Sequence, residues 1–146
     1  MQIYYTNDSI PYKTVVALGE FDGLHKAHMN LIEASKSFAK KNNLPFGIMC
    51  FEEKLGGKTG KDFSGRLIET EERIQLLSDC DFIYIQSFND EFMNMSADDF
   101  CNFLKNKLGA AAVFAGFNYR FGKGASGNAE LLKKYDKFET HIIDEY

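Results

Sequence analysis

Thr14-Val15-Val16-Ala17-Leu18-Gly19 is a short, continuously apolar run that ends on glycine. A strand without polar alternation is buried on both faces. From Lys26 to about Lys41 the pattern turns helical, with His28, Leu31, Ile32, Ser35, Phe38 and Ala39 at helix spacing. Lys36, Lys40 and Lys41 crowd the last turns, where positive charge complements the helix dipole. Pro45 blocks further helix, and Phe46-Gly47-Ile48-Met49-Cys50-Phe51 is a second buried strand.

The alternation continues along the chain. Asp81-Phe82-Ile83-Tyr84-Ile85, Ala111-Ala112-Val113-Phe114-Ala115-Gly116 and Phe138 to Asp144 read as three more strands. Thr70 caps a predicted helix with Glu71 and Glu72 in its first turn and Ile74 and Leu77 facing inward. Ser96-Ala97-Asp98-Asp99 opens another in the manner of a capping box, with Met95 and Phe100 placed for a hydrophobic staple. Phe100, Phe103, Leu104 and Leu108 form its buried face, a core stripe rather than a cofactor box. Asn128 to Tyr135 is a short helix with Leu131 and Leu132 inside. Apolar strands alternating with helices predict an α/β fold, a Rossmann-like, doubly wound, parallel five-stranded sheet. Ligands of such sheets bind at the carboxyl ends of the strands, so chemistry is expected after Gly19, Phe51 and Gly116.

With 146 residues, 45% hydrophobic and 26% charged, the chain is one globular domain, 1–146. No apolar run is long enough for a membrane span and the first residues carry no leader, so a cytoplasmic protein is expected. The net charge of −4 argues against nucleic acid as the partner. Cys50, Cys80 and Cys101 are odd in number and far apart, which excludes a zinc ribbon or disulfide scaffold and reads as buried thiols in a reducing compartment. Residues 52–66 hold four of the chain's twelve glycines, interleaved with Lys54, Lys58, Lys61 and Arg66. They read as a mobile basic loop, either solvated or a flap over an anionic ligand.

Two of the three histidines lie just after the first apolar strand, in Gly19-Glu20-Phe21-Asp22-Gly23-Leu24-His25-Lys26-Ala27-His28. If His25 and His28 bracket the start of the helix, their side chains share one face about 5–6 Å apart. They then stand at the positive end of the helix, suited to a polyphosphate whose charge grows in a transition state. The other readings are surface histidines or a metal pair. A metal pair needs a third ligand; His141 reads as structural, and no metal residue is assigned.

This segment resembles the H-x-G-H signature of nucleotidylyltransferases, and with its Phe-Asp-Gly it is most similar to the adenylyltransferase module of bacterial bifunctional FAD synthetase. A second block, Gly116-Phe117-Asn118-Tyr119-Arg120-Phe121-Gly122-Lys123-Gly124-Ala125-Ser126-Gly127-Asn128, is similar to that family's G-x-[DN]-[FY]-x-F-G-x-x-x-x-G segment. The stretch from Arg66-Leu67 to Glu72-Arg73-Ile74-Gln75-Leu76-Leu77 and that from Phe88 to Phe103 follow the family's run as well. The resemblance implies transfer of AMP from ATP to FMN with magnesium, giving FAD and pyrophosphate. It implies that Gly19, Phe21, Asp22 and Gly23 shape the loop under the ATP phosphates and that His25 and His28 contact them. It places Asn118 near phosphates and flavin, Phe51 at the flavin, and Arg120 and Lys123 as anion contacts, which otherwise read as solvated loop charges.

The chain departs from the family pattern in having Ala27 for the signature glycine and Phe51-Glu52-Glu53-Lys54-Leu55 where the family has F-x-P-x-P. The family's Ser-Ser-Thr-x-x-Arg motif would come shortly after Tyr146; it and the riboflavin kinase domain are absent from this sequence, so the isolated chain is expected to be weakly active or inactive while still binding nucleotide. The competing readings are a non-catalytic nucleotide- or flavin-binding module, which these departures favour, and another nucleotidylyltransferase such as a cytidylyltransferase, which the block around Asn118 disfavours.

Overall fold

The computed structural model describes residues 2–19, 26–51, 80–87 and 89–143. Within them the elements in chain order are β1 (Gln2–Tyr5), β2 (Thr14–Leu18), α1 (Lys26–Lys41), β3 (Phe46–Phe51), β4 (Phe82–Gln86), α2 (Asp90–Met93), α3 (Ala97–Asn106), β5 (Ala110–Gly116), a 3-10 turn (Lys123–Ala125), α4 (Ala129–Lys134) and β6 (Glu139–Ile143). The six strands form one parallel sheet in the order β1-β4-β3-β2-β5-β6. The predicted helix after Thr70 and the basic loop of residues 52–66 lie outside the described residues.

The expected five strands are all present, and the sheet carries a sixth. β1 adds to the outer side of β4, with Ile3 in register with Ile83. It escaped the sequence reading because an edge strand of four residues needs no apolar run; all of β1 but Tyr4 is exposed. Its backbone pairing, not burial, makes it a strand.

β2 is the middle of the sheet and all five of its residues are buried. Its side chains alternate between two cores. Val15 and Ala17 pack with Leu31, Ile32 and Ala39 of α1 and with Ile48 and Phe114. Val16 and Leu18 pack with Phe100, Leu104 and Leu108, and with Leu132 of α4. Full burial of each such side chain stabilises by roughly 1.5–3 kcal/mol, so covering both faces is what holds the sheet. Buried hydroxyls find backbone acceptors: Thr14 donates to the Leu108 carbonyl at 2.8 Å, Ser35 to the Leu31 carbonyl at 2.6 Å and Tyr84 to the Asp8 carbonyl at 2.7 Å.

The helix ends follow their sequence signals closely. Ser96 caps α3 by accepting from the Asp99 N–H at 3.1 Å, and Asn128 caps α4 by accepting from Leu131 N–H at 3.0 Å. Met95 packs against the cluster that contains Phe100, as a staple would. α1 stops before Pro45. Asn43 takes the left-handed conformation at φ +55°, and the Leu44 N–H returns to the Ala39 carbonyl at 2.9 Å. This is a Schellman end with Asn in the place glycine usually holds. α2 was not foreseen; Asn89 caps it by accepting from Phe92 N–H at 2.8 Å. On α4 only Leu132 is inside, and Leu131 is 38% exposed, because the helix is one turn and a half long and presents a single position to the sheet.

Gly47 sits in the middle of β3 beside Phe82 of β4. A Cβ there would lie 2.4 Å from the Phe82 ring, which is fully buried. Gly47→Ala should therefore lower the stability measured by urea unfolding by about 1–3 kcal/mol, the usual cost of overpacking a filled core. Gly47→Ala with Phe82→Leu should recover part of that loss, since the smaller side chain vacates the space.

Cys50, Cys80 and Cys101 are buried thiols, as expected. Burial pushes the Cys50 thiol up to about 12, and burial with the nearby Asp98 carboxylate pushes Cys101 up to about 11. The native thiols should resist an aromatic disulfide reagent at pH 8, with all three reacting once the chain is denatured. The unfolded chain loses these protons near its ordinary pKa while the folded chain keeps them. The midpoint of urea unfolding should thus be flat below about pH 8 and fall from about pH 9 to 12, and less steeply in Cys50→Ala.

Candidate active site

The order of the strands reverses between β2 and β5. From β2 the chain winds outward through β3 to β4 on one side; from β5 it winds outward to β6 on the other. A doubly wound sheet leaves a crevice at the carboxyl ends of the two strands at such a reversal. Leu18 at the end of β2 is in register with Ala115, one residue before the end of β5. The two sequence blocks that drew attention therefore leave the sheet side by side, one starting at Gly19 and the other at Gly116.

After β2 the described chain resumes in α1, which begins at Lys26 and puts the backbone of His28 in its first turn. That turn leaves N–H groups without helical partners. Phe21, Asp22, Gly23 and His25 lie outside the described residues. Gly19 is half-buried at the end of β2.

The block after β5 is a turn closed on itself. The Tyr119 N–H returns to the Gly116 carbonyl at 3.1 Å, and the Phe117 N–H reaches the Ile143 carbonyl of β6 at 3.1 Å. Asn118 is exposed, and its side chain folds back over the strand end, with Oδ1 3.3 Å from where a Cβ on Gly116 would be. Phe121 and Gly127 form an isolated antiparallel bridge, with N–H to carbonyl distances of 3.2 and 2.7 Å. The Phe121 ring stacks on Phe100 of α3 at 4.9 Å between centroids. The Lys123 N–H donates to the Met95 carbonyl at 2.8 Å, which ties the far side of the loop to the start of α3. Arg120 and Lys123 are exposed on this anchored loop. Phe51 ends β3, in register with Gln86 of β4.

Position by position, the fold brings Gly19, the start of α1 with His28, and Asn118 to one edge at the reversal, and it puts the end of β3 with Phe51 on that same edge. Arg120 and Lys123 belong to the loop that frames it. The bridge that shapes this loop was not read from the sequence, although Phe121 and Gly127 both stand in the quoted pattern. His141 lies away from the edge loops, stacked on Phe114 at 4.5 Å and paired with Glu139. Among the described residues no three His, Cys, Asp or Glu side chains gather into a metal cage.

A sequence model described as FAD synthetase matches residues 7–146. The chain belongs to the FAD synthetase family. Among curated relatives, a bifunctional riboflavin kinase/FMN adenylyltransferase of Buchnera aphidicola subsp. Acyrthosiphon pisum is 33% identical over 135 residues, covering 89% of this chain and 43% of its own length. The protein of the same description from Escherichia coli strain K12 is 31% identical over 124 residues, covering 82% of this chain and 40% of its own length. The chain thus spans about two fifths of the length of the curated relatives it matches. A crystal structure described as a macrolide-efflux protein from Streptococcus pneumoniae superposes with a TM-score of 0.76 at 27% identity, covering 99% of this chain and 50% of that one. The efflux description belongs to that protein; among the described residues no helix is long and apolar enough to cross a membrane.

Gly127 is the member of the FAD synthetase pattern with the plainest steric reason. A Cβ on it would lie 2.3 Å from the Phe121 ring. Gly127→Ala should displace that ring from Phe100 and open the loop while the sheet stays folded. The expected readout is new tryptic cleavage after Arg120 and Lys123 with an unchanged far-ultraviolet spectrum.

Proposed function

We propose that this chain is an FMN adenylyltransferase module, which transfers AMP from ATP to FMN and releases pyrophosphate. The observation that carries the reading is the meeting of the two family blocks at the reversal of the sheet, where Leu18 and Ala115 pair. The family match over residues 7–146 supports it. A phosphate oxygen of FMN attacks the α-phosphorus of ATP, the bond to the β-phosphate oxygen breaks, and pyrophosphate carries away the negative charge. No covalent intermediate with the chain is needed.

Such a reaction asks a protein for positioning and for charge stabilisation. The start of α1 offers unpaired backbone N–H groups to the triphosphate, and His25 and His28 add imidazole donors where charge grows on the leaving group. Gly19, Phe21, Asp22 and Gly23 form the loop that lets the phosphates approach the backbone. Asn118 offers a carboxamide at the end of β5 between the two substrates. Phe51 takes the flavin side, and Arg120 and Lys123 supply positive charge from the anchored loop. Magnesium arrives with ATP, since this ion keeps several waters and is bound largely through substrate phosphates. The compartment that suits this substrate pair and three buried thiols is the cytoplasm.

With ATP, FMN and magnesium, FAD should form slowly and be separable by chromatography. His28→Ala and Asn118→Ala should each lower turnover by about 10²–10³-fold, the usual cost of one transition-state donor, with circular dichroism unchanged. ATP and FMN binding without any FAD would favour a non-catalytic binding module instead. CTP acting in place of ATP would favour a cytidylyltransferase.

A further inference from the structure

Gln86 is the last residue of β4 and only 4% exposed. Side chains alternate along a strand, so Gln86 shares the face of Phe82 and Tyr84, both members of the core that includes Phe92, Phe100 and Phe121. Its Nε2 donates to the Ser87 carbonyl at 3.1 Å, which decides the end of the amide that must be oxygen. Its Oε1 is buried and has no hydrogen-bond partner among the described residues. Buried acceptors without partners are rare in folded proteins and call for an explanation. Leucine would fill much the same volume with no acceptor to satisfy.

The position of this oxygen suggests what satisfies it. β4 is two strands from β2 in the sheet, about 10 Å at the usual strand spacing, and Gln86 lies at the same carboxyl edge as Gly19 and Asn118. A phosphate held at the β2–β5 reversal and joined to a ring by a five-carbon ribityl chain sets that ring over the ends of β3 and β4. The loop of Asn118 inserts Phe121 into the same face. Oxidised isoalloxazine has a single ring N–H, at N3, between two carbonyls.

We propose that Gln86 is a specificity-determining residue for the flavin, its Oε1 accepting a hydrogen bond from the N3–H of FMN. This rests on FMN being the acceptor substrate. The shared chemistry is an N–H donor on a heterocycle, and the adenine amino group of ATP is the other source of it.

The test is titration of the 146-residue chain and of Gln86→Leu with FMN and with N3-methyl-FMN by flavin fluorescence, and with ATP by calorimetry. Gln86→Leu should weaken FMN by about tenfold, the scale of one hydrogen bond, while ATP affinity stays the same. Its thermal midpoint should hold or rise. The unsubstituted chain should bind N3-methyl-FMN as weakly as the variant binds FMN, and the variant should not distinguish the two flavins. Equal FMN affinity in the two chains overturns the role of Gln86 and leaves the adenylyltransferase reading standing. A loss confined to ATP assigns the donor to adenine and overturns it also. Loss of both ligands with a lower thermal midpoint marks a packing role and overturns it. If the unsubstituted chain binds no FMN, the flavin role and the adenylyltransferase reading fall together.

Discussion

The parallel pairing of β2 with β5 is the constraint from which the rest follows. Its residues are apolar throughout, Val15 to Leu18 against Ala112 to Ala115. Both strands are covered on both faces, so neither can slip by a residue without exchanging the contents of two cores. Because the register is held so tightly, the chain leaves the sheet at Gly19 and Gly116 in a fixed relation. The edge where the two blocks meet is thus a consequence of core packing, and the segments that leave it inherit their positions from buried residues.

The loop after β5 illustrates how that inheritance works. Asn118 and Arg120 are exposed, yet the segment is held at three points: by the bond from Phe117 to β6, by the Phe121–Gly127 bridge, and by the bond from Lys123 to the start of α3. Phe121 is a buried side chain in a largely exposed loop, and its contact with Phe100 makes α3 a support for the loop. Side chains that meet a ligand need such a frame if they are to meet it in one geometry.

Much of this was legible in the amino-acid sequence. The runs at residues 14–19, 46–51 and 111–116 announced central strands because continuous apolar character is what burial on two faces demands. Ser96 and Asn128 announced helix starts, since their side chains serve backbone groups two or three residues away. The two family blocks were visible, and strand topology then brought them together. What stayed hidden depends on partners distant along the chain. Gln2–Tyr5 is a strand only because Phe82–Ile85 offers it an edge. Gln86 looks like any polar residue at a strand end until the burial of its oxygen is known. Leu131 and Leu132 are equivalent in sequence, and the direction of one short helix separates them.

The place of β1 has a consequence for how the molecule is made. Its four residues leave the ribosome some eighty positions ahead of their partners at Phe82–Ile85. At roughly 5–20 residues per second, translation keeps β1 waiting on the order of 4–16 s for a strand to pair with. During that wait Ile3 and Tyr5, which remain exposed even in the finished sheet, stand on an unpaired segment. β1 precedes the other described strands in the chain, yet it cannot take its place on the border of the sheet until β4, the fourth of them in chain order, has been made.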